Sequence, residues 1–187
     1  VRDYFSASEI IELRAVVLKF HHLWQQDNAK FYQEEAFNSS LITGSEYLVR
    51  DERISLFNFI SSKKVMAVVD ALIANNPAFM NTQLFFNPVN PSQKDFWHRD
   101  CQYDHDLEGQ KNAIAQTQVV HLRVPLFDEL GMELVPETHK RWDNEEEFNV
   151  RQEEKGKVSS DDLTTGKKIR LAAGDLLVFS ADMIHRG

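Results

Sequence analysis

The sequence predicts an α+β chain in which helices come first and a sandwich or barrel of short antiparallel strands follows. Two observations carry this reading. Over the first third, apolar residues recur at helical spacing and form one stripe per segment. After Pro77 the pattern changes to short runs rich in β-branched and aromatic residues, separated by turn residues. The length of 187 residues suits one domain, with residues 1–80 mainly helical and residues 81–187 forming the strand core.

Along the chain, Ser6-Ala7-Ser8-Glu9 has the form of a capping box. The Ser6 hydroxyl can accept from the Glu9 N–H while the Glu9 carboxylate reaches back. Ile10, Leu13, Val17, Phe20 and Trp24 follow on one helical face, and Asp27-Asn28 breaks the pattern. A second helix is expected from residue 62 to about residue 74. Val65, Met66, Val68, Val69, Leu72 and Ile73 line it, and Asn75-Asn76-Pro77 stops it. Strands are expected at residues 82–86, 96–97, 118–126, 132–135, 169–171 and 176–179. Their punctuation is Asn87-Pro88, Asn90-Pro91, Asp128-Glu129-Leu130-Gly131 and Ala173-Gly174-Asp175. Residues 143–168 are polar and read as a solvated, partly helical insertion between two strands. A mobile lid over a pocket is the functional alternative.

Composition excludes several classes. Lys plus Arg number 21 against 29 Asp plus Glu, a formal charge of −8, which argues against a nucleic-acid partner and against an anionic membrane surface. The single cysteine, Cys101, excludes a scaffold stapled by intrachain disulfides. No apolar run approaches the roughly 20 residues that cross a bilayer, and no signal-peptide pattern opens the chain, so a cytoplasmic protein is expected. The chain starts at Val1 without a Met and stops just after a strand-like run, so it reads as cut at both ends.

The chemistry concentrates at Phe96-Trp97-His98-Arg99-Asp100. In an extended chain residues two apart share a face, so His98 and Asp100 can present an imidazole nitrogen and a carboxylate oxygen to one ion. That set suits Fe(II), Mn(II), Zn(II) or Co(II) better than Ca(II). Alone the pair is weak: with seven His and an acid at roughly one position in six, about one such spacing arises by chance. A third ligand, His185, stands far downstream beyond the apolar run 176–179. Two His and one carboxylate on one face leave about three coordination positions open, the facial triad of non-haem Fe(II) oxygenases. His21 and His22 read as helix-surface or boundary residues, Asp104-His105-Asp106 as a polar loop, His139 as a turn organiser, and Cys101 as a small spectator. Trp97 reads as packing beside the metal loop. On His121-Leu122-Arg123-Val124-Pro125-Leu126, residues 121, 123 and 125 share one face and the apolar residues the other.

Three stretches together resemble the phytanoyl-CoA dioxygenase-like branch of the Fe(II)/2-oxoglutarate-dependent oxygenases. The first is Phe96-Trp97-His98-Arg99-Asp100, similar to that family's His-x-Asp segment. The second runs from Val124-Pro125-Leu126-Phe127-Asp128 through Gly131-Met132-Glu133-Leu134-Val135-Pro136-Glu137-Thr138-His139. The third runs from Ala173-Gly174-Asp175-Leu176-Leu177-Val178-Phe179 to His185. The resemblance covers a little over half the chain, from about residue 81. It implies a double-stranded β-helix (jelly-roll, cupin-like) core with the N-terminal helices packed outside. It implies His98, Asp100 and His185 as catalytic Fe(II) ligands. It also implies 2-oxoglutarate as cosubstrate, dioxygen as oxidant, and hydroxylation of a C–H bond of a small molecule with release of succinate and carbon dioxide. Related halogenases replace the carboxylate ligand with a small residue, so Asp100 points to hydroxylation. Arg123 stands where relatives often carry a Trp beside the cosubstrate, and its guanidinium can meet a carboxylate there. Gln83, on the first expected strand, can hydrogen-bond an oxygen of the keto acid.

Two departures stand out. Glu137 occupies the family's usual Gly. The Arg that pairs with the outer carboxylate of 2-oxoglutarate lies about ten residues beyond the distal His in the family, whereas this sequence stops two residues after His185. Arg186 is too close to take its place, so the last strand and the anchoring Arg are expected beyond Gly187. Two other classes fit the residues: a cupin-like protein that binds metal and ligand without turnover, and a metal-free jelly-roll interaction module.

Overall fold

In the computed structural model, which describes residues 1–73, 76–114, 116 and 119–187, the expected capping box starts helix α1 (Ala7–Asp27). Ser6 Oγ accepts from the Glu9 N–H at 3.3 Å, and Glu9 Oε2 accepts from the Ser6 N–H at 2.8 Å. The stripe is the buried face: Ile10, Val17, Phe20 and Trp24 are buried and Leu13 is half-buried. Fully burying each large side chain stabilises by about 1.5–3 kcal/mol. Asn28 ends the helix, its N–H and side-chain amide both donating to the Trp24 carbonyl at 2.9 Å.

The chain divides into two compact units, Phe5–Gln93 and Val1–Tyr4 with Lys94–Gly187. In the first, α1 is followed by α2 (Ala29–Glu34), β1 (Asn38–Ser40), α3 (Arg50–Ile60), α4 (Lys63–Leu72) and β2 (Gln83–Phe85). Helix α3 is an addition to the sequence reading; the Glu52 carboxylate accepts the Val49 N–H at 3.1 Å at its start. Helix α4 starts at the Ser62 cap as expected and ends at Leu72. The expected end near Ala74 and Asn75 lies outside the described residues. Strand β2 lies within the expected run and pairs antiparallel with β1, Leu84 opposite Ser39.

In the second unit come α5 (Leu107–Ile114), β3 (Val120–Arg123), β4 (Glu133–Leu134), α6 (Glu145–Arg151), β5 (Lys167–Lys168), β6 (Leu177–Ser180) and β7 (His185–Arg186). Strand β3 pairs antiparallel with β6, His121 opposite Phe179. Strand β4 is flanked by β5 and β7, both antiparallel, with Leu134 opposite His185. The sheets are small and antiparallel, and among the described residues they do not close into a barrel. The run expected at 118–126 shortens at its far end, where β3 stops at Arg123, and two further strand expectations shift. Gln118 lies outside the described residues. Residues 96–97 form no strand of their own, though His98 bridges to His185. The strand expected at 169–171 is displaced to β5, where Lys168 stands opposite Glu133.

Residues 143–168 are not simply a solvated insertion. Asn144 caps α6 with a reciprocal bond to Glu147, and Val150, Glu147, Arg151 and Leu163 are buried. Val150 and Leu163 join Trp97, Val135 and Ile184 in one apolar cluster. Trp97 and Ile184 each stand one residue before an expected metal ligand. The period of two turns them into this core and turns His98 and His185 to the other side.

Candidate metal centre

His98 and His185 exchange both backbone hydrogen bonds, each N–H donating to the other's carbonyl at 3.0 Å. This isolated antiparallel bridge sets the two imidazoles side by side, with ring centroids 4.2 Å apart. Asp100 follows on the face of His98 and is fixed by its own N–H, which donates to the Ala181 carbonyl at 3.0 Å. The donor atoms of His98, Asp100 and His185 all lie within 4.8 Å of one another, and each Nε2 is 3.5 Å from Asp100 Oδ1.

The tautomers follow from the partners. His98 Nδ1 is 3.0 Å from the Phe96 carbonyl and His185 Nδ1 is 2.8 Å from the Met183 carbonyl. A carbonyl only accepts, so both Nδ1 atoms carry the hydrogen and both Nε2 atoms present a lone pair. Burial pushes both imidazoles below the ordinary histidine range, so neither takes a second proton near neutrality and neither 3.5 Å contact is an ion pair. Burial would also raise the Asp100 carboxyl. The hydrogen bond from His121, with the electrostatic influence of the neighbouring imidazoles, outweighs it and holds the group below its ordinary value. Three electron-pair donors therefore face one point with no hydrogen between them. The 3.5 Å separations of both Nε2 atoms from Asp100 Oδ1 are short enough for these atoms to share one ion. This donor set fits a divalent first-row metal.

His121, on β3, completes the centre. Its Nε2 lies 2.7 Å from Asp100 Oδ2 and holds the carboxylate oxygen that faces away from the two imidazoles. The sequence placed His121 only on a shared strand face; a hydrogen bond to a residue 21 positions away has no local signature. Phe179 packs its ring 5.0 Å from His121 and 5.1 Å from His185, forming an apolar floor. Phe96 and the exposed Tyr103 set their rings 5.2 and 5.8 Å from His98.

The other candidate residues have partners of their own. Arg123 is two residues beyond His121 on β3, and its guanidinium grips Glu129 through two bonds of 2.7 and 3.1 Å. Gln83 belongs to the Phe5–Gln93 unit, where its exposed side chain donates to Ser40 Oγ at 3.3 Å. Asp106 caps the turn of α5 by accepting from the Gly109 N–H at 2.8 Å. Cys101 is buried, which pushes its thiol up to about 12 and keeps it protonated. No described helix is long and apolar enough to cross a membrane.

Small antiparallel sheets carrying a His-x-Asp pair and a remote His define a class of mononuclear-metal proteins, among which the non-haem oxygenases are prominent. The sequence matches the phytanoyl-CoA dioxygenase (PhyH) family over residues 1–187, and the chain belongs to that family, whose members are generally Fe(II)/2-oxoglutarate oxygenases. Its fold is similar to the crystal structure of AviO1 from Streptomyces viridochromogenes Tue57. The TM-score is 0.59 and the identity 14%, over 97% of this chain and 77% of that one. No match is found among curated proteins.

Proposed function

We propose that this protein is an Fe(II)- and 2-oxoglutarate-dependent hydroxylase of a small molecule. The observation that carries the reading is the convergence of two bare imidazole nitrogens, each 3.5 Å from one carboxylate oxygen and all within 4.8 Å of one another, with no proton among them. His98, Asp100 and His185 would hold the ion, and Asp100 would offset one of its charges. A bound ferrous ion supplies the dioxygen chemistry that couples decarboxylation of 2-oxoglutarate to oxidation of a C–H bond. The balance is one substrate C–H, one dioxygen and one 2-oxoglutarate giving one C–OH, one succinate and one carbon dioxide.

The protein's share is orientation. The carbonyls of Phe96 and Met183 fix both imidazole rings, and His121 holds Asp100 so that Oδ1 stays toward them. Trp97 and Ile184 close the core on the opposite side. Arg123 stands on the His121 face of β3, and its pair with Glu129 could open to receive a carboxylate of cosubstrate or substrate. Gln83 keeps its assignment as a hydrogen-bond donor to the keto acid. The small antiparallel sheets of the second unit belong, on this reading, to a jelly-roll core, as is typical of the family.

The test is anaerobic loading with Fe(II), then addition of 2-oxoglutarate and air while succinate and oxygen uptake are followed. We expect one metal per chain and succinate formation that His98→Ala abolishes. Unchanged turnover in His98→Ala would refute the ligand set. Metal-dependent binding of 2-oxoglutarate without succinate would mark a cupin-like binding protein instead. Arg123→Met and Gln83→Ala should each raise the KM for 2-oxoglutarate; an unchanged KM removes that residue from the site.

A further inference from the structure

Between the two neighbouring ligands stands a residue the proposed chemistry does not use. The period that turns His98 and Asp100 to the metal side turns Arg99 inward, and its side chain is fully buried. The guanidinium meets Asp143 Oδ1 through Nε at 3.0 Å and Nη2 at 2.7 Å. It also donates to the Thr138 carbonyl at 2.6 Å, to the Arg141 carbonyl at 3.2 Å, and to the Asp182 carbonyl. Asp182 stands three residues before His185. A single planar group thus ties the segment of the two neighbouring ligands to the loop that delivers the third.

Asp143 does not serve Arg99 alone. Its other oxygen accepts from Arg151 Nε at 2.8 Å and Nη2 at 2.6 Å, and the side chains of Asp143 and Arg151 are also fully buried. Arg151 closes the circuit by donating to Gln102 Oε1 at 2.6 Å, and the same oxygen accepts the Arg99 N–H at 3.2 Å. Both guanidinium carbons lie within 6 Å of the Trp142 ring, at 5.9 and 5.8 Å. A buried carboxylate between two buried arginines carries a large desolvation cost, and similar volumes of apolar side chain often stabilise as well or better. What apolar packing cannot supply is directional fixation of three backbone segments by one group.

We propose that the Arg99–Asp143–Arg151 cluster is the positioning device of the metal centre: it locks the segment of His98 and Asp100 to the loop of His185 and so sets the donor geometry that a metal meets. Arg99 is a positioning residue in this sense and touches none of the donor atoms. The inference rests on the metal-centre reading above, and the experiment separates the two.

The wild-type chain is titrated with Co(II) alone, and affinity and the d–d absorption bands of the bound ion are recorded. No stoichiometric Co(II) binding by wild type would overturn the metal-centre reading itself. Given binding, Arg99→Lys keeps the charge but cannot reach four partners at once. It is expected to weaken Co(II) affinity about tenfold or more, the scale of lost orienting contacts around metal ligands, and to shift the d–d bands. A purely stabilising role would lower the melting temperature and leave the bands of the folded, bound form in place. Affinity within about twofold of wild type with unshifted bands therefore overturns the proposal. Arg151→Met keeps Arg99 and Asp143 as a neutral pair and serves if Arg99→Lys does not fold. It is expected to change affinity and bands in the same sense by a smaller factor, and wild-type values for both would overturn the proposal.

Discussion

Two residues in the turn-rich part of the chain share one backbone conformation with opposite consequences. Gly131 has φ 71°, and a Cβ there would lie 1.5 Å from the Ile169 carbonyl oxygen. Gly131→Ala is expected to destabilise by about 2 kcal/mol or more, because β4 and β5 would have to separate; urea denaturation measures it. Glu137 also sits in the left-handed region, at φ 66° and ψ 0°, with an exposed side chain. A side chain there costs about 1–2 kcal/mol, partly offset by the entropy glycine loses on folding. Glu137→Gly should therefore stabilise by about 0.5–1 kcal/mol in the same assay. A loss of stability would mean that the carboxylate itself organises the turn. At the metal centre, His121→Ala frees Asp100 Oδ2, and Co(II) affinity should fall about 10–100-fold. An unchanged affinity would show that the carboxylate is aimed by other means.

Among the elements, α6 rests on its acid–base contacts. Glu147 is buried, accepts from the Asn144 N–H at 2.9 Å, from both terminal nitrogens of Arg141 at 2.7 and 2.8 Å, and from Thr165 at 3.0 Å. Burial would raise its carboxyl, but these partners hold it below its ordinary value of 4.5. A group whose value is lower folded than unfolded adds stability above the unfolded value, and that stability is lost as pH falls through the folded one. Glu147→Gln is expected to cost about 1–2 kcal/mol at pH 7, reduced because Arg141 is partly exposed. The gap to wild type should narrow progressively below about pH 4.5; melting curves across pH test this, and a gap independent of pH would contradict it. The same helix shows where the sequence became opaque. Glu147 and Arg151 look like a solvated face because a charge does not disclose that the neighbouring chain folds back to bury it. Strand β1, Asn38–Ser40, carries no β-branched residue and exists because β2 supplies its register. By contrast the α1 cap was readable, since both of its partners lie within four residues.

For the molecule as a whole, the candidate ligands come from nearly opposite ends of the Lys94–Gly187 segment, so binding of an ion there would be linked to folding of that unit. Free Co(II) at a hundred times its Kd should raise unfolding stability by about 2.7 kcal/mol. Differential scanning calorimetry checks this, and a melting temperature indifferent to Co(II) would contradict a preformed site. The site itself was legible to an uneven depth. His98 and Asp100 follow from strand periodicity. His185 was reached as a candidate from its place beyond the apolar run 176–179, and the resemblance of whole motifs then implied it as a ligand. His121 and Arg99 stayed hidden because their roles exist only through contacts across the fold. The reciprocal bridge between His98 and His185 has a consequence for assembly. Because alternate residues face opposite ways, slippage by a single position would withdraw one imidazole and present Ile184 or Arg186 in its stead. A misaligned chain would thus lose the converging donor set, so the ability to take up an ion would report the correct alignment of these two segments.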